Sequence, residues 1–300
     1  MHPRARIVSF ASFVSLAVLS ALLLAACGSS SDISTPVATT AAAAATPDDG
    51  KTNHELILAT TTSTQDSGLL DVLIPLYQKQ TGDHVKVIAV GSGAAMELGR
   101  QGNADVLLVH SPAAEERFVK DGLGIARTRV MYNDFIVVGP PSDPAQIKGL
   151  TDAAQAFKRI AEAKADFYGR GDRSGTQAAE LTIWSAAGLA VPKGQSWYHE
   201  TGQGMGPTLT VSVEKDGYTL SDRATWLANS DKTRQPLLVE GDTRLFNVYH
   251  VIVVNPDKHA INREGAERFR AFMVAKDTLQ VIATFGKDQY GQPLFVPYTE

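Results

Sequence analysis

Arg170-Gly171-Asp172-Arg173-Ser174-Gly175-Thr176 runs directly into Gln177-Ala178-Ala179-Glu180-Leu181-Thr182-Ile183-Trp184. The second segment reads as a helix, and Ser174 or Thr176 can cap its amino end. Gly171 and Gly175 let the backbone turn tightly before the helix starts. First-turn amides lack intrahelical partners and carry the positive end of the macrodipole, so they attract anions. Two hydroxyls and two guanidinium groups in the same few residues add donors. The stretch suits a tetrahedral oxyanion. It is equally compatible with a plainer reading, in which Ser174 only caps a helix and Arg170 pairs with Asp172 at the surface.

The same strand-turn-helix grammar occurs twice upstream. Glu55 to Thr60 has a strand pattern, followed by the hydroxyl-rich loop Thr60-Thr61-Thr62-Ser63-Thr64-Gln65-Asp66-Ser67-Gly68. Leu69 to Thr81 then carries apolar residues at helical spacing, with Pro75 as a possible kink. Val85 to Val90 is a second strand, and it ends in Gly91-Ser92-Gly93 before another helix. Asp105 to His110 is almost continuously apolar, as suits a strand buried on both faces. Ala113 to Asp121 follows as a helix. Alternating strands and helices imply a parallel sheet with ligands at the carboxyl ends of its strands, which is where Thr61 to Ser63 and Ser92-Gly93 fall.

Downstream, Phe135 to Pro140 is a strand, Thr151 to Ala165 a helix, and Asp166 to Gly169 a short strand leading into Arg170. Trp197 to Thr208 reads as a glycine-rich aromatic loop. Asp222 to Ala228 is expected as a helix, Val248 to Val254 as a strand, and Arg263 to Phe285 as a terminal helical region. Phe135-Ile-Val-Val-Gly-Pro140 and Val251-Ile-Val-Val-Asn-Pro256 are near-twins. They read as two crossings between a pair of domains, with hinge limits near Gly139-Pro140 and Asn255-Pro256. The first domain is then discontinuous, 54–133 plus 256–300, and the second spans 134–255.

The first fifty residues differ in kind. His2, Arg4 and Arg6 precede the apolar run Ile7 to Ala26, and Leu24-Ala25-Ala26-Cys27 holds the one cysteine of the chain. A signal peptide over 1–26 is expected. Leu24 to Cys27 resembles the lipobox of bacterial lipoproteins, which implies lipid attachment at Cys27. Residues 27–53 are rich in Ser, Thr, Ala and Pro and read as a flexible tether. These features place a soluble body outside the cytoplasmic membrane, anchored to it by lipid. A formal charge of −4 and the absence of a basic run give no basis for nucleic-acid binding.

Taken in order, Ala59-Thr-Thr-Thr-Ser63, Gly91-Ser-Gly-Ala94, Ala104 to His110, Tyr132-Asn-Asp-Phe-Ile-Val-Val-Gly139, Arg170 to Thr176 and Trp197 through Gly206 resemble the type II periplasmic substrate-binding proteins. Within that fold they are most similar to the tungstate-binding lipoproteins of ABC transporters, and the resemblance spans about Leu56 to Pro297. It implies an α/β, two-domain type II periplasmic-binding-protein fold with the ligand in the interdomain cleft, and an ABC permease as partner. It also implies ligand contacts from a threonine of the first loop (Thr61), Ser92, Arg170 and Thr176. Thr62, Ser63, Gly93, Ser174 and Gly175 complete the candidate set. Spacing favours Arg170 over Arg173. Phosphate-binding proteins of the same fold share the Arg-x-Asp-x-Ser-Gly-Thr pattern, so phosphate and molybdate stay open as ligands.

Ligand chemistry turns on Asp172. Tungstate and molybdate are fully deprotonated dianions and call for donors alone, whereas monohydrogen phosphate also suits a carboxylate acceptor. A carboxylate turned toward Arg170 favours tungstate, and one turned toward the anion favours phosphate. The two-residue spacing favours the first, as an Asp organising its own turn. Gly171-Asp-Arg-Ser-Gly175 does not fit the spacing of a nucleophile elbow. The seven histidines are scattered, without metal-ligand spacing. No catalytic residue, metal or cofactor is expected, and a monomer is.

Overall fold

A computed structural model of the chain describes residues 55–231 and 234–299. The expected signal peptide, Cys27 and the tether lie outside the described residues. Strand β1 (Glu55–Thr61) leads through the short helix α1 (Thr62–Asp66) into α2 (Leu69–Thr81), which continues through Pro75. Strand β2 (His84–Val90) leads into α3 (Ser92–Arg100), and β3 (Val106–Val109) into α4 (Pro112–Lys120). Strands β2 and β3 both pair with β1 in parallel, so their carboxyl ends share one edge.

Beyond these three strands the sheet is mixed rather than parallel. Strand β4 (Gly124–Val138) is fifteen residues long, and only its last part was legible as a strand. It is followed by α5 (Ala153–Ala163), β5 (Phe167–Gly169), α6 (Gly175–Ala186), β6 (Tyr198–Glu200) and α7 (Met205–Glu214). Then come β7 (Thr219–Asp222), α8 (Arg223–Ala228), β8 (Leu237–Val239) and β9 (Phe246–Val254). The chain ends with α9 (Arg263–Met273), α10 (Lys276–Thr284), α11 (Lys287–Tyr290) and β10 (Val296–Pro297). Sheet order is β10-β4-β9-β3-β1-β2, with β7 and β8 also on β4, while β5 and β6 form a separate parallel pair.

Strand β4 ties two regions together. Its residues up to Asp134 pair with β9, and from Phe135 onward they pair with β7. The outward crossing therefore sits at Asp134/Phe135, ahead of Gly139-Pro140. The return crossing differs more from expectation. Strand β9 pairs with β3 from His250 to Val253 and with β4 from Phe246 to Val254, so it belongs wholly to the first sheet. The chain thus re-enters that sheet at Phe246, and Asn255-Pro256 is no boundary. Near-identical apolar strings hid this, because a buried strand reads the same in either region.

Period-two alternation gives the first sheet two cores. Leu56, Leu58, Leu108, Val251 and Val253 pack under Leu73 and Tyr77 of α2 and Phe269 of α9. Ala59, Leu107, Val109 and Ile252 face Ala95 and Met96 of α3 and Phe118 of α4. All four residues of β3 are buried, as a strand covered on both faces requires. In the second region, Phe157, Phe167, Ile183, Trp184 and Tyr218 form the main cluster. Trp197 and Tyr198 join it, so the expected aromatic loop is a strand against a core, and Met205 opens helix α7.

Candidate functional site

Thr61, Ser92 and His110 stand at the shared carboxyl edge of β1, β2 and β3. Thr61 caps α1, its hydroxyl accepting from the Thr64 amide at 3.3 Å. Helix α3 starts at Ser92 behind Gly91, which offers its first turn no side-chain cap. Facing this edge are the amino ends of α6 and α7. Ser174 caps α6 by accepting from the Gln177 amide at 3.2 Å, and α7 begins behind Gly204 without a side-chain cap. Positive helix ends from both regions therefore meet at one place.

The contact is close enough to demand glycine. The Gly93 amide donates to the Arg173 carbonyl at 3.1 Å. A Cβ on Gly93 would lie 2.7 Å from that carbonyl oxygen, and one on Gly175 would lie 2.5 Å from the carbonyl oxygen of His110. On the α7 side, the Met205 amide donates to Thr62 Oγ1 at 3.2 Å and the Gly206 amide to Asp66 Oδ2 at 2.9 Å. The two regions are closed on each other.

Arg170 lies at the centre, 1% exposed. Its Nη2 donates to Thr62 Oγ1 at 3.0 Å and to Asp172 Oδ2 at 2.5 Å, and its Nε donates to the Gln203 carbonyl at 3.3 Å. Nη1 is buried and has no hydrogen-bond partner. A buried guanidinium N–H without an acceptor costs about 1–3 kcal/mol or more, which singles out Nη1 among the donors of this zone. The Asp172 carboxylate is fully engaged, since its Oδ1 accepts from the Ser174 amide at 3.1 Å. It faces the turn and Arg170, as its spacing suggested. Arg173 is exposed and left-handed, with φ 59°.

A polar relay lies behind the hydroxyl loop. Asn247 donates through Nδ2 to Asn133 Oδ1 at 2.8 Å, which turns its Oδ1 toward His110 Nδ1 at 2.9 Å. His110 therefore donates from Nδ1, and its Nε2 accepts from the Ser63 hydroxyl at 3.1 Å. Burial holds the imidazole neutral, with its pKa lowered to about 3. The Ser63 proton is thus committed to His110, and the Gly93 amide to Arg173. The hydroxyl of Thr62 accepts from two donors and keeps its own proton available. Thr61 is 2.8 Å from Thr64 Oγ1 and 3.1 Å from Ser63 Oγ. Ser92 Oγ accepts the His110 amide at 3.5 Å, and Thr176 Oγ1 faces only the weakly accepting Met205 sulfur at 3.8 Å.

All nine candidate positions come together in this contact zone, but they do not offer equal chemistry. Asp66, His110, Asn247 and Asp222 were not legible as site residues. Asp222 is buried, caps α8 through the Thr225 amide at 2.9 Å, and has its pKa raised by burial to about 6. Each belongs to an ordinary local pattern, and only the fold brings it near Arg170.

Comparison with known proteins carries the same architecture. A family model described as a PBP superfamily domain matches residues 34–277. The chain belongs to the PBP superfamily. Within this superfamily it is 48% identical over 239 residues to the tungstate-binding protein TupA of Peptoclostridium acidaminophilum, covering 79% of this chain and 83% of that one. The crystal structure of the tungstate ABC transporter from Geobacter sulfurreducens aligns with a TM-score of 0.70 at 45% identity, covering 77% of this chain and 98% of that one. The tungstate binding protein TupA from Desulfovibrio alaskensis G20 aligns at 0.68 and 43% identity, covering 82% and 100%. The PBP superfamily chain therefore has the type II periplasmic-binding-protein fold, and its relatives are binding proteins of ABC transporters.

Proposed function

We propose that this chain binds tungstate between its two regions and delivers it to an ABC permease. The observation that carries the reading is Arg170 Nη1, a buried cationic donor without a protein acceptor at the meeting point of helix amino ends. The tungstate-binding names of relatives at 43–48% identity support the choice of ion. A fully deprotonated tetrahedral dianion needs donors only. Asp172 and Asp222 each accept from protein groups through both carboxylate oxygens, so neither is turned out to take the proton of monohydrogen phosphate.

In this reading, Arg170 Nη1 and the hydroxyls of Thr62, Thr61, Ser92 and Thr176 donate to oxyanion oxygens. The uncapped amino ends of α3 and α7 add dipolar attraction. Ser63 and Gly93 shape and close the site, their protons being committed to His110 and Arg173, whereas the Ser174 hydroxyl, which accepts from Gln177, and the first-turn Gly175 amide remain as donors. Closure excludes water and strengthens each charge-assisted bond, worth about 1.5–3 kcal/mol apiece. The hinge consists of β4 at Asp134/Phe135 and the entry to β9 at Phe246. The protein works as a non-catalytic monomer without cofactor. It is exported by residues 1–26 and held at the membrane by lipid on Cys27.

Calorimetric titration with tungstate, molybdate, sulfate and phosphate tests the ion. Tight binding of tungstate with weak or no binding of phosphate is expected. Preference for phosphate would refute the reading.

A further inference from the structure

Asn133 and Asn247 are cross-strand partners of β4 and β9, one residue from Asp134 and Phe246 at the proposed hinge. They begin a chain of four side chains that ends in the hydroxyl loop. Asn133 meets Asn247 at 2.8 Å, Asn247 meets His110 at 2.9 Å, and His110 meets Ser63 at 3.1 Å. All four residues are buried, and the His110 ring is stacked on Tyr249 with 4.6 Å between centres.

In the arrangement described for the site, every donor points one way, from Ser63 to His110, Asn247 and Asn133. That direction is unfavourable at both ends. At the far end, Asn133 Nδ2 is buried without a hydrogen-bond partner. At the near end, the Ser63 proton is spent on a neutral ring beside a zone of anion donors.

The opposite direction uses the same positions. Turning over the two amides exchanges their oxygens and nitrogens, and placing the ring proton on Nε2 instead of Nδ1 completes the reversal. Asn133 then donates to Asn247, Asn247 to His110 Nδ1, and His110 Nε2 to Ser63. The Tyr249 hydroxyl, 3.1 Å from the Asn247 amide nitrogen, changes from acceptor to donor. The ring carries one proton in either case, in keeping with its pKa of about 3. The unpaired group at the far end becomes a carbonyl oxygen, which proteins leave unpaired more readily than an N–H. The Ser63 hydroxyl proton is released, 3.1 Å from Thr61 Oγ1.

We propose that oxyanion binding reverses this relay, so that Ser63 joins the donors to the ion and His110 acts as its positioning residue. The inference rests on the tungstate reading of the same site. A dianion selects the direction that aims a hydroxyl proton at it, because a bond to a charged acceptor outweighs one to a neutral ring nitrogen. One proton leaves Nδ1 and one enters Nε2, so the relay takes up no net proton.

The test follows the ring nitrogens of His110 in the full chain by long-range 1H–15N NMR, before and after saturation with tungstate. The proton is expected on Nδ1 in the free protein and on Nε2 in the loaded protein. Any other pair of tautomers would overturn the reversal. Ser63→Ala is expected to weaken tungstate binding at least about tenfold while keeping the unliganded melting temperature. A smaller loss would exclude Ser63 as a donor. A parent chain that binds no tungstate would refute the proposed function itself, whereas binding with an unchanged ring would refute only the reversal.

Discussion

Nη2 of Arg170 lies 2.5 Å from Oδ2 of Asp172, while Nη1 of the same guanidinium is buried with no partner. One side of the fork is fixed by the protein, and the proposed function assigns the other to the oxyanion. In that reading Asp172 is a positioning residue, despite bringing a negative charge close to the proposed anion site.

Asp172→Ala separates these two effects. Loss of the brace frees Arg170 and the Ser174 amide, so tungstate affinity is expected to fall about tenfold to a hundredfold, the worth of one charge-assisted hydrogen bond. Titration calorimetry reads the change. Tighter binding, as removal of a repelling charge alone would give, would exclude the positioning role.

Gly175→Ala tests closure. Alanine suits the first turn of α6, but its Cβ would stand 2.5 Å from the His110 carbonyl oxygen. The variant is expected to keep the unliganded melting temperature and lose at least about tenfold in tungstate affinity. Its radius of gyration with tungstate, from small-angle scattering, should stay above that of the liganded parent. Compaction equal to the parent's would show that the two regions do not need this contact.

Legibility in the sequence followed locality. Thr61, Ser92 and Arg170 each follow a strand pattern and open a helix, so a local reading found them. Asp172 was readable because its partners are two residues away on either side. The His110–Asn247 pair spans 137 positions and joins strands whose order no local pattern reveals. Strand β9 was assigned to the wrong region for the same reason, because Val251 to Val254 is equally apolar whichever sheet buries it. The Trp197 to Gly206 segment misled differently. Its glycines suggested a loop, whereas Gly204 stands just ahead of α7 and its absent Cβ lets Thr62 approach.

A buried carboxyl in the second region gives a pH signature. Glu180 accepts from the Trp184 indole at 3.0 Å and the Tyr198 hydroxyl at 2.8 Å, and burial raises its pKa from 4.5 to about 7. The folded state holds this proton more tightly than the unfolded state. Its stabilising contribution is complete below about pH 4.5 and is lost as pH rises toward 7. Glu180→Gln mimics the protonated form, so it should melt close to the parent at pH 4.5 and above it at pH 8. The difference is on the order of 3 kcal/mol. A melting difference independent of pH would show that Glu180 does not titrate in this window.

Arg170→Lys is the most direct test of the Arg170 site. Lysine keeps the positive charge but cannot brace against Asp172 and Thr62 while offering a second N–H to the anion. Calorimetric titration with tungstate, alongside a thermal melt of the unliganded variant to establish folding, is expected to show a folded protein with affinity reduced about a hundredfold or more. A folded Arg170→Lys variant that binds tungstate as tightly as the parent would contradict the assignment of Arg170 Nη1 as the donor awaiting the ion.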